Sequence, residues 1–266
     1  MFAQMRHMAI VTSNAHHEGD FYHDVLGMKR STLQRAGGAV VVSDGYVGLN
    51  LNPRAPGRQA GFDHFGFEVQ DTEVVFARLK QKYPKIQVLN RPSNRPFAGI
   101  SMHGPMGNVF DLSQLNMENR RDLYTEKIED RKRRVGHFGL RCVEPEQCAE
   151  FYRDVFELTE LEKPAGDSNH YLSDGKVTLA VMPWKISDFY GSGIERPALD
   201  HIGFKVESMS AFKADLEKFT GANPSPEDRP EKNPEREVRQ KLLASCCFGQ
   251  YQLSDPDGVL IDVSEN

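Results

Sequence analysis

The sequence predicts an α+β protein: four βαβββ modules forming two curved mixed β-sheet cups with helices outside. Two observations carry this. The chain repeats itself once end to end, and each half repeats again around a histidine-bearing strand. RHMAIVT (6–12) leading to FYHDVLGMK (21–29) recurs as GHFGLRC (136–142) leading to FYRDVFELT (151–159). FDHFGFEV (62–69) recurs as LDHIGFKV (199–206), and GPMGNVFDLS (104–113) as DPDGVLIDVS (255–264). The halves are 1–115 and 135–266, with modules starting near 5, 62, 135 and 198.

The first module opens on an alternating strand around His7. Phe21, Tyr22, Val25 and Leu26 then fall at helical spacing, with Gly27 as a helix stop. GGAVVVSDGYVGLNLNP reads as short strands joined by turns. In the second module Val74, Val75, Phe76 and Leu79 mark the helix, and strands follow through VLNRPSNRPFAGISMHGPMGNVFDLS. Residues 116–134, NMENRRDLYTEKIEDRKRR, read as a charged linker helix between the halves. The third module repeats the pattern from His137, and the fourth from His201. Residues 221–239, rich in proline and charge, read as a long exposed loop inside the fourth module.

Composition narrows the function. With 39% hydrophobic and 27% charged residues the chain has the balance of a soluble globular protein. No apolar run reaches the ~18 residues of a membrane helix, and MFAQMRHMAI lacks the apolar core of a secretory leader. A cytoplasmic protein without a membrane partner is expected. A net charge of −5 argues against a dedicated nucleic-acid binder. The four cysteines include no CxxC and read as reduced, buried thiols.

The chemistry is concentrated on four histidines and two aspartates. His7, His64, His137 and His201 open the four modules. Asp111 and Asp262 each follow a Pro-x-Gly turn by the same spacing, from Pro105 and Pro256. Strand alternation puts each of them opposite the apolar residues that a helix would cover. His64 is set against Phe65 and Phe67, His201 against Ile202 and Phe204, and Asp262 against Ile261 and Val263. Each histidine has Gly or Ala two residues on, which clears space on its face. Two imidazoles and one carboxylate suit Fe(II), Mn(II), Ni(II) or Zn(II), and leave coordination positions open. If consecutive modules pair, the cups hold His7, His64, Asp111 and His137, His201, Asp262. If the outer and inner modules pair, they hold His7, His201, Asp262 and His64, Asp111, His137. Consecutive pairing is expected, because sequential elements usually neighbour in space.

Four such modules, with histidines on opening strands and a carboxylate after a Pro-x-Gly turn, resemble the vicinal oxygen chelate superfamily. That group includes glyoxalase I, bleomycin resistance proteins and extradiol ring-cleaving dioxygenases. The resemblance covers nearly the whole chain, and the four-module length is similar to that of the extradiol enzymes. It implies a divalent metal, foremost Fe(II), with O2 and a catechol- or hydroquinone-like aromatic substrate as partners, and a homo-oligomeric assembly. It also implies Glu where this chain has Asp111 and Asp262, and a Tyr where it has Gln252, with Tyr251 one residue away. Further acid–base histidines are implied in the C-terminal half, where only His170 and Tyr171 stand near. In the N-terminal half His103 is the candidate acid or base, with Tyr46, Arg91 and Arg95 around the cup. The candidate catalytic residues are therefore His103, His170 and Tyr251. The expected activity is ring cleavage. A glyoxalase-, lyase- or isomerase-type enzyme working through an enediolate is the first alternative, and a non-enzymatic small-molecule binder the second.

Overall fold

A computed structural model describes residues 1–32, 37–117, 123–124, 131–222, 234–246 and 248–266. The first module is β1 (Ala3–Thr12), α1 (Ala15–Asp24), β2 (Lys29–Arg30), β3 (Val40–Ser43) and β4 (Gly48–Pro53). The second is β5 (Gly61–Val69), α2 (Thr72–Lys82), β6 (Val88–Asn90), β7 (Ile100–His103) and β8 (Val109–Gln114). The third is β9 (Arg134–Cys142), α3 (Pro145–Phe156), β10 (Thr159–Glu160), β11 (His170–Ser173) and β12 (Thr178–Pro183). A short helix, α4 (Ile186–Gly191), leads into β13 (Leu199–Val206), α5 (Met209–Ala222), α6 (Pro234–Ala244), β14 (Tyr251–Ser254) and β15 (Leu260–Glu265).

Consecutive modules pair. One mixed sheet has the order β2-β3-β4-β1-β5-β8-β7-β6, the other β10-β11-β12-β9-β13-β15-β14. In each, the two histidine strands run antiparallel at the centre (β1 with β5, β9 with β13), and each is parallel to the last strand of its own module. The fourth module departs from the expected pattern. Among the described residues it has two strands after its helices, and α6 occupies part of the stretch read as loop. Pro234 stands at the first helical position, where its fixed φ suits helix entry. The strong helix formers EREVRQKLLA follow, and Leu243 is buried. Residues 118–122 and 125–130 of the expected linker helix, and 223–233 of the expected loop, lie outside the described residues.

The helices cover the face of each sheet opposite the histidines, and that face is where the halves meet. One buried cluster joins Met8, Phe65, Phe67 and Phe110 of the first sheet to Phe138, Phe204 and Ile261 of the second. Phe156 of α3 stacks on Phe67 at 4.2 Å, and Tyr22 of α1 packs against Phe204 at 6.2 Å. Polar hooks repeat across the junction with the same twofold logic as the sequence. Asp44, in the β3–β4 turn, accepts from the Val135 N–H at 2.8 Å, and Asp174, in the β11–β12 turn, from Met5 N–H at 2.6 Å. Tyr22 donates to Asp255 in the β14–β15 turn at 2.9 Å, and Tyr152 accepts from Asn108 in the β7–β8 turn. The repeated SDG turns and FY pairs of the sequence are these hooks.

One hook holds a buried acid pair. Glu18 of α1 lies against Asp255, with Asp257 near. Burial, and then the neighbouring Asp255 charge, push the Glu18 carboxyl far above its ordinary range, so it stays protonated through neutral pH. A raised folded-state pKa gives stability that is complete below the unfolded value and is lost as pH rises above about 4.5. Glu18→Gln keeps the shape and removes that loss. Its melting temperature, measured against wild type at pH 5 and pH 8, is expected to gain on wild type at the higher pH; parallel curves would refute the protonated pair.

Candidate metal centres

Two clusters of ligand-type side chains form where the histidine strands cross. His7, His64 and Asp111 bring their ligand atoms within 4.8 Å of one another, and so do His137, His201, Asp262 and Cys246. In the first, the Nε2 atoms of His7 and His64 are 3.3 Å apart, and Asp111 Oδ2 is 3.1 Å from His64 Nε2. In the second, the Nε2 atoms of His137 and His201 are 2.9 Å apart, and Asp262 Oδ2 is 3.4 Å from His137 Nε2. Apart from Cys246, which the sequence reading did not include, these sets are the ones that consecutive module pairing implies.

Cross-strand register explains how four bulky rings fit. Gly203 pairs with His137 and Gly139 with His201, while Gly66 pairs with His7 and Ala9 with His64. A Cβ on Gly203 would fall inside the His137 ring, and one on Gly139 inside that of His201. The small residue two positions after each histidine thus makes room for the ring on the neighbouring strand, rather than for its own.

Asp63 and Asp200 were missed as site residues. His64 Nδ1 is 3.3 Å from Asp63 Oδ2, and His201 Nδ1 is 2.9 Å from Asp200 Oδ2. Strict alternation would send adjacent residues to opposite faces. The β1–β5 register shifts where His64 pairs, and the β9–β13 register shifts between Leu199 and His201. These bulges turn each Asp toward its neighbour's ring. The repeated Asp-His of FDHFGF and LDHIGF was the available signal. A carboxylate on Nδ1 fixes the tautomer and aims Nε2, as outer partners of metal-bound histidines do. Arg141 anchors Asp200 at 2.9 Å, and Arg58 anchors Asp63.

The electrostatics suit a cation. Burial opposes charge on His64, but Asp111 and Asp63 outweigh it and hold its pKa up at about 9. For His201 burial is likewise outweighed, by Asp200 and Cys246, to about 9. Burial, aided by the His201 charge, pushes His137 down. Asp262 is fully buried; Gln252 donates to its Oδ1 at 2.9 Å, and its Oδ2 has no hydrogen-bond partner. An unsatisfied buried carboxylate oxygen beside two facing imidazole nitrogens is costly without a bound cation. The donor set fits a divalent metal.

The three expected acid–base residues lie elsewhere. His103 has both ring nitrogens on backbone, accepting from Gln87 N–H at 3.0 Å and meeting Gly104 O at 2.8 Å. His170 is held by Glu160 at 2.7 Å and Glu146 at 3.3 Å, beside α3 and away from the histidine face. Tyr251 pairs with Val263 on the helix face, 5.9 Å from Phe212 and under Lys213. Alternation decides the last two: Tyr171 and Gln252, their strand neighbours, take the histidine face instead, whereas His103 is held at the end of β7 by backbone. Tyr171 packs there with Ala180, Cys246 and Phe248. Of the other N-terminal candidates, Arg91 donates to Ser101 at 2.6 Å and stands 3.8 Å from Asp111. Tyr46 serves the junction, donating to Asp174 at 3.1 Å.

Residues 4–112 match the family described as the Glyoxalase/Bleomycin resistance protein/Dioxygenase superfamily, and the second half repeats their strand order and cluster. No curated protein matches the chain in sequence. Among solved structures, the chain is similar to an extradiol ring-cleaving dioxygenase from B. fuscum (15% identity, 98% of this chain and 71% of that one, TM-score 0.65). It is similar as well to homoprotocatechuate 2,3-dioxygenase from Arthrobacter globiformis (17%, 100% and 80%, 0.65) and to a 2,3-dioxygenase from Pseudomonas sp. KL28 (15%, 99% and 92%, 0.62). At these identities the likeness is one of fold. No helix among the described residues is long and apolar enough to cross a membrane.

Two outcomes test the centres. Gly203→Ala should displace His137, cost about 1–3 kcal/mol as overpacking does, and remove one metal per chain by elemental analysis. Asp63→Asn and Asp200→Asn should each weaken metal binding at their own cluster by about 10–100-fold; unchanged metal titrations would show that the Asp-His pairs do not orient ligands.

Proposed function

We propose that the protein is a metal-dependent dioxygenase that opens a catechol- or hydroquinone-like ring with O2, and that it works at the N-terminal centre. The observation that carries the choice of centre is access. His64 exposes a fifth of its side chain, whereas every member of the C-terminal cluster is buried. His7, His64 and Asp111 would hold the metal, and two imidazoles, one carboxylate and open positions suit Fe(II). When bound, Fe(II) supplies the means to anchor two vicinal oxygens and to activate O2.

The chain's own residues supply the setting. Asp63 holds the His64 ring, so that its Nε2 faces the centre without reorganisation. Ser101 and Arg91 engage Asp111 Oδ1 and leave Oδ2 toward His64. The Arg91 guanidinium puts a fixed positive charge beside the cup, which favours the phenolate form of a bound hydroxyl. Phe97 stacks on His7 at 4.7 Å and walls that side with an apolar face suited to an aromatic ring.

The placement of His103, His170 and Tyr251 away from both clusters bears on the alternatives. An enediolate route needs a base within hydrogen-bond reach of the substrate carbon acid, and none of the three stands there. The same fact favours, as a second reading, a binder that sequesters an aromatic ligand.

Oxygen uptake by the Fe(II)-reconstituted protein across a catechol and hydroquinone panel separates these readings. Uptake coupled to ring-opened product is expected, falling at least about 100-fold in Asp111→Ala, since a direct ligand should matter more than an outer partner. Arg91→Gln should raise KM more than it lowers kcat. Saturable binding without uptake would replace the enzyme with the binder.

A further inference from the structure

We propose that the C-terminal cluster is a closed four-ligand metal site in which Cys246 is the fourth ligand, a thiolate site of the zinc type that substrate does not enter. The inference assigns the second centre a task different from that of the first, and so deepens the reading of catalysis at the N-terminal centre, on which its division of labour rests.

Four features carry it. Cys246 Sγ lies within the same 4.8 Å envelope as the ligand atoms of His137, His201 and Asp262. A tetrahedral zinc with bonds of about 2.0–2.3 Å spaces its ligands comfortably inside that envelope. All four side chains are buried, Cys246 at 3% and Asp262 at 0% exposure. Asp262 Oδ2 is aimed into the cluster with no hydrogen-bond partner, while Gln252 fixes its other oxygen. Asp200 fixes His201, so two ligands are already oriented from behind.

The surroundings close the site. Phe248 lies 4.9 Å from the His137 ring, and Tyr171 meets Phe248 edge-on at 5.3 Å. Tyr171, Ala180, Cys246 and Phe248 form their own apolar cluster against the histidine face. A ring-opening centre needs open positions for two substrate oxygens and for O2. Four protein ligands under an aromatic cover leave none, and closed N/O/S sets of this kind are structural. The N-terminal cluster contains no thiol. Binding deprotonates Cys246 and releases its proton to solvent; no electrons are transferred. The thiolate would tie the turn after α6, where Cys246 N–H bonds Leu243 O at 2.9 Å, to the centre of the sheet.

The test uses cobalt as a spectroscopic stand-in for zinc, in the full chain on an Asp111→Ala background that disables the first centre. One Co(II) per chain is expected, with a thiolate-to-cobalt charge-transfer band in the near ultraviolet that catechol does not perturb. Cys246→Ser should abolish the band and weaken zinc binding by more than the about 10–100-fold that loss of an outer partner costs. Should that variant not fold, retention of the band in Cys142→Ser, Cys148→Ser and Cys247→Ser assigns it to Cys246. Bound cobalt without the band, survival of the band in Cys246→Ser, its loss in any of the other three, or its shift on adding catechol would each overturn the proposal. Oxygen uptake by the wild type is read separately: its absence would remove the dioxygenase reading and leave the thiolate site standing.

Discussion

The structure depends on the crossing of two antiparallel strands that face imidazoles toward each other across a gap only glycine or alanine can leave. His137 lies over Gly203 and His201 over Gly139, in a register where any Cβ on those glycines meets a ring. Two rings with Nε2 atoms 2.9 Å apart repel if both are protonated, and burial disfavours even one charge. The surrounding carboxylates answer that conflict. Asp200 and Asp262 in one sheet, and Asp63 and Asp111 in the other, supply the compensating charge and orient the rings. The carboxylate strands of the second and fourth modules lie parallel to their histidine strands and so reach the same face.

The opposite face settles how the halves join. The phenylalanines that alternate with the histidines are covered by helices, and α1 and α3 are shared between the sheets. Each half inserts a tyrosine into a turn of the other and closes a turn aspartate on the other's opening strand. These hooks set the opening strands, through Met5 and Val135 N–H, only two residues before His7 and His137. The junction therefore supports the ligand geometry directly. A substitution at Asp44 or Asp174 would be felt at the histidine clusters as well as in stability.

Duplication has left two centres with the same frame and different lids. In the first, the β6–β7 connection supplies Phe97 and Arg91, and one histidine reaches solvent. In the second, the turn after α6 supplies Cys246 and Phe248, and all four cluster side chains are buried. The ligand frame is built from strands and is shared. The lid comes from connections, which vary without disturbing the sheet.

Much of this was legible without coordinates. Two halves, four modules, the six clustered histidines and aspartates, and the face they share all follow from repetition and a period of two, because strand geometry ties spacing to direction. Tyr251, a candidate for chemistry, lies on the helix face because Gln252 beside it takes the other. What the sequence alone could not decide was set by contacts between distant residues. Alternation denied Asp63 and Asp200 a place beside their histidines, because a bulge is a property of two paired strands and not of one. His103 and His170 carry the right chemistry, but neighbouring backbone and carboxylates capture them. Cys246 stands forty residues beyond the end of β13, and only the packing of α6 and its following turn brings its sulfur to the cluster. Side-chain direction is local and was written in the pattern; proximity across long connections is tertiary, and the fold alone decided it.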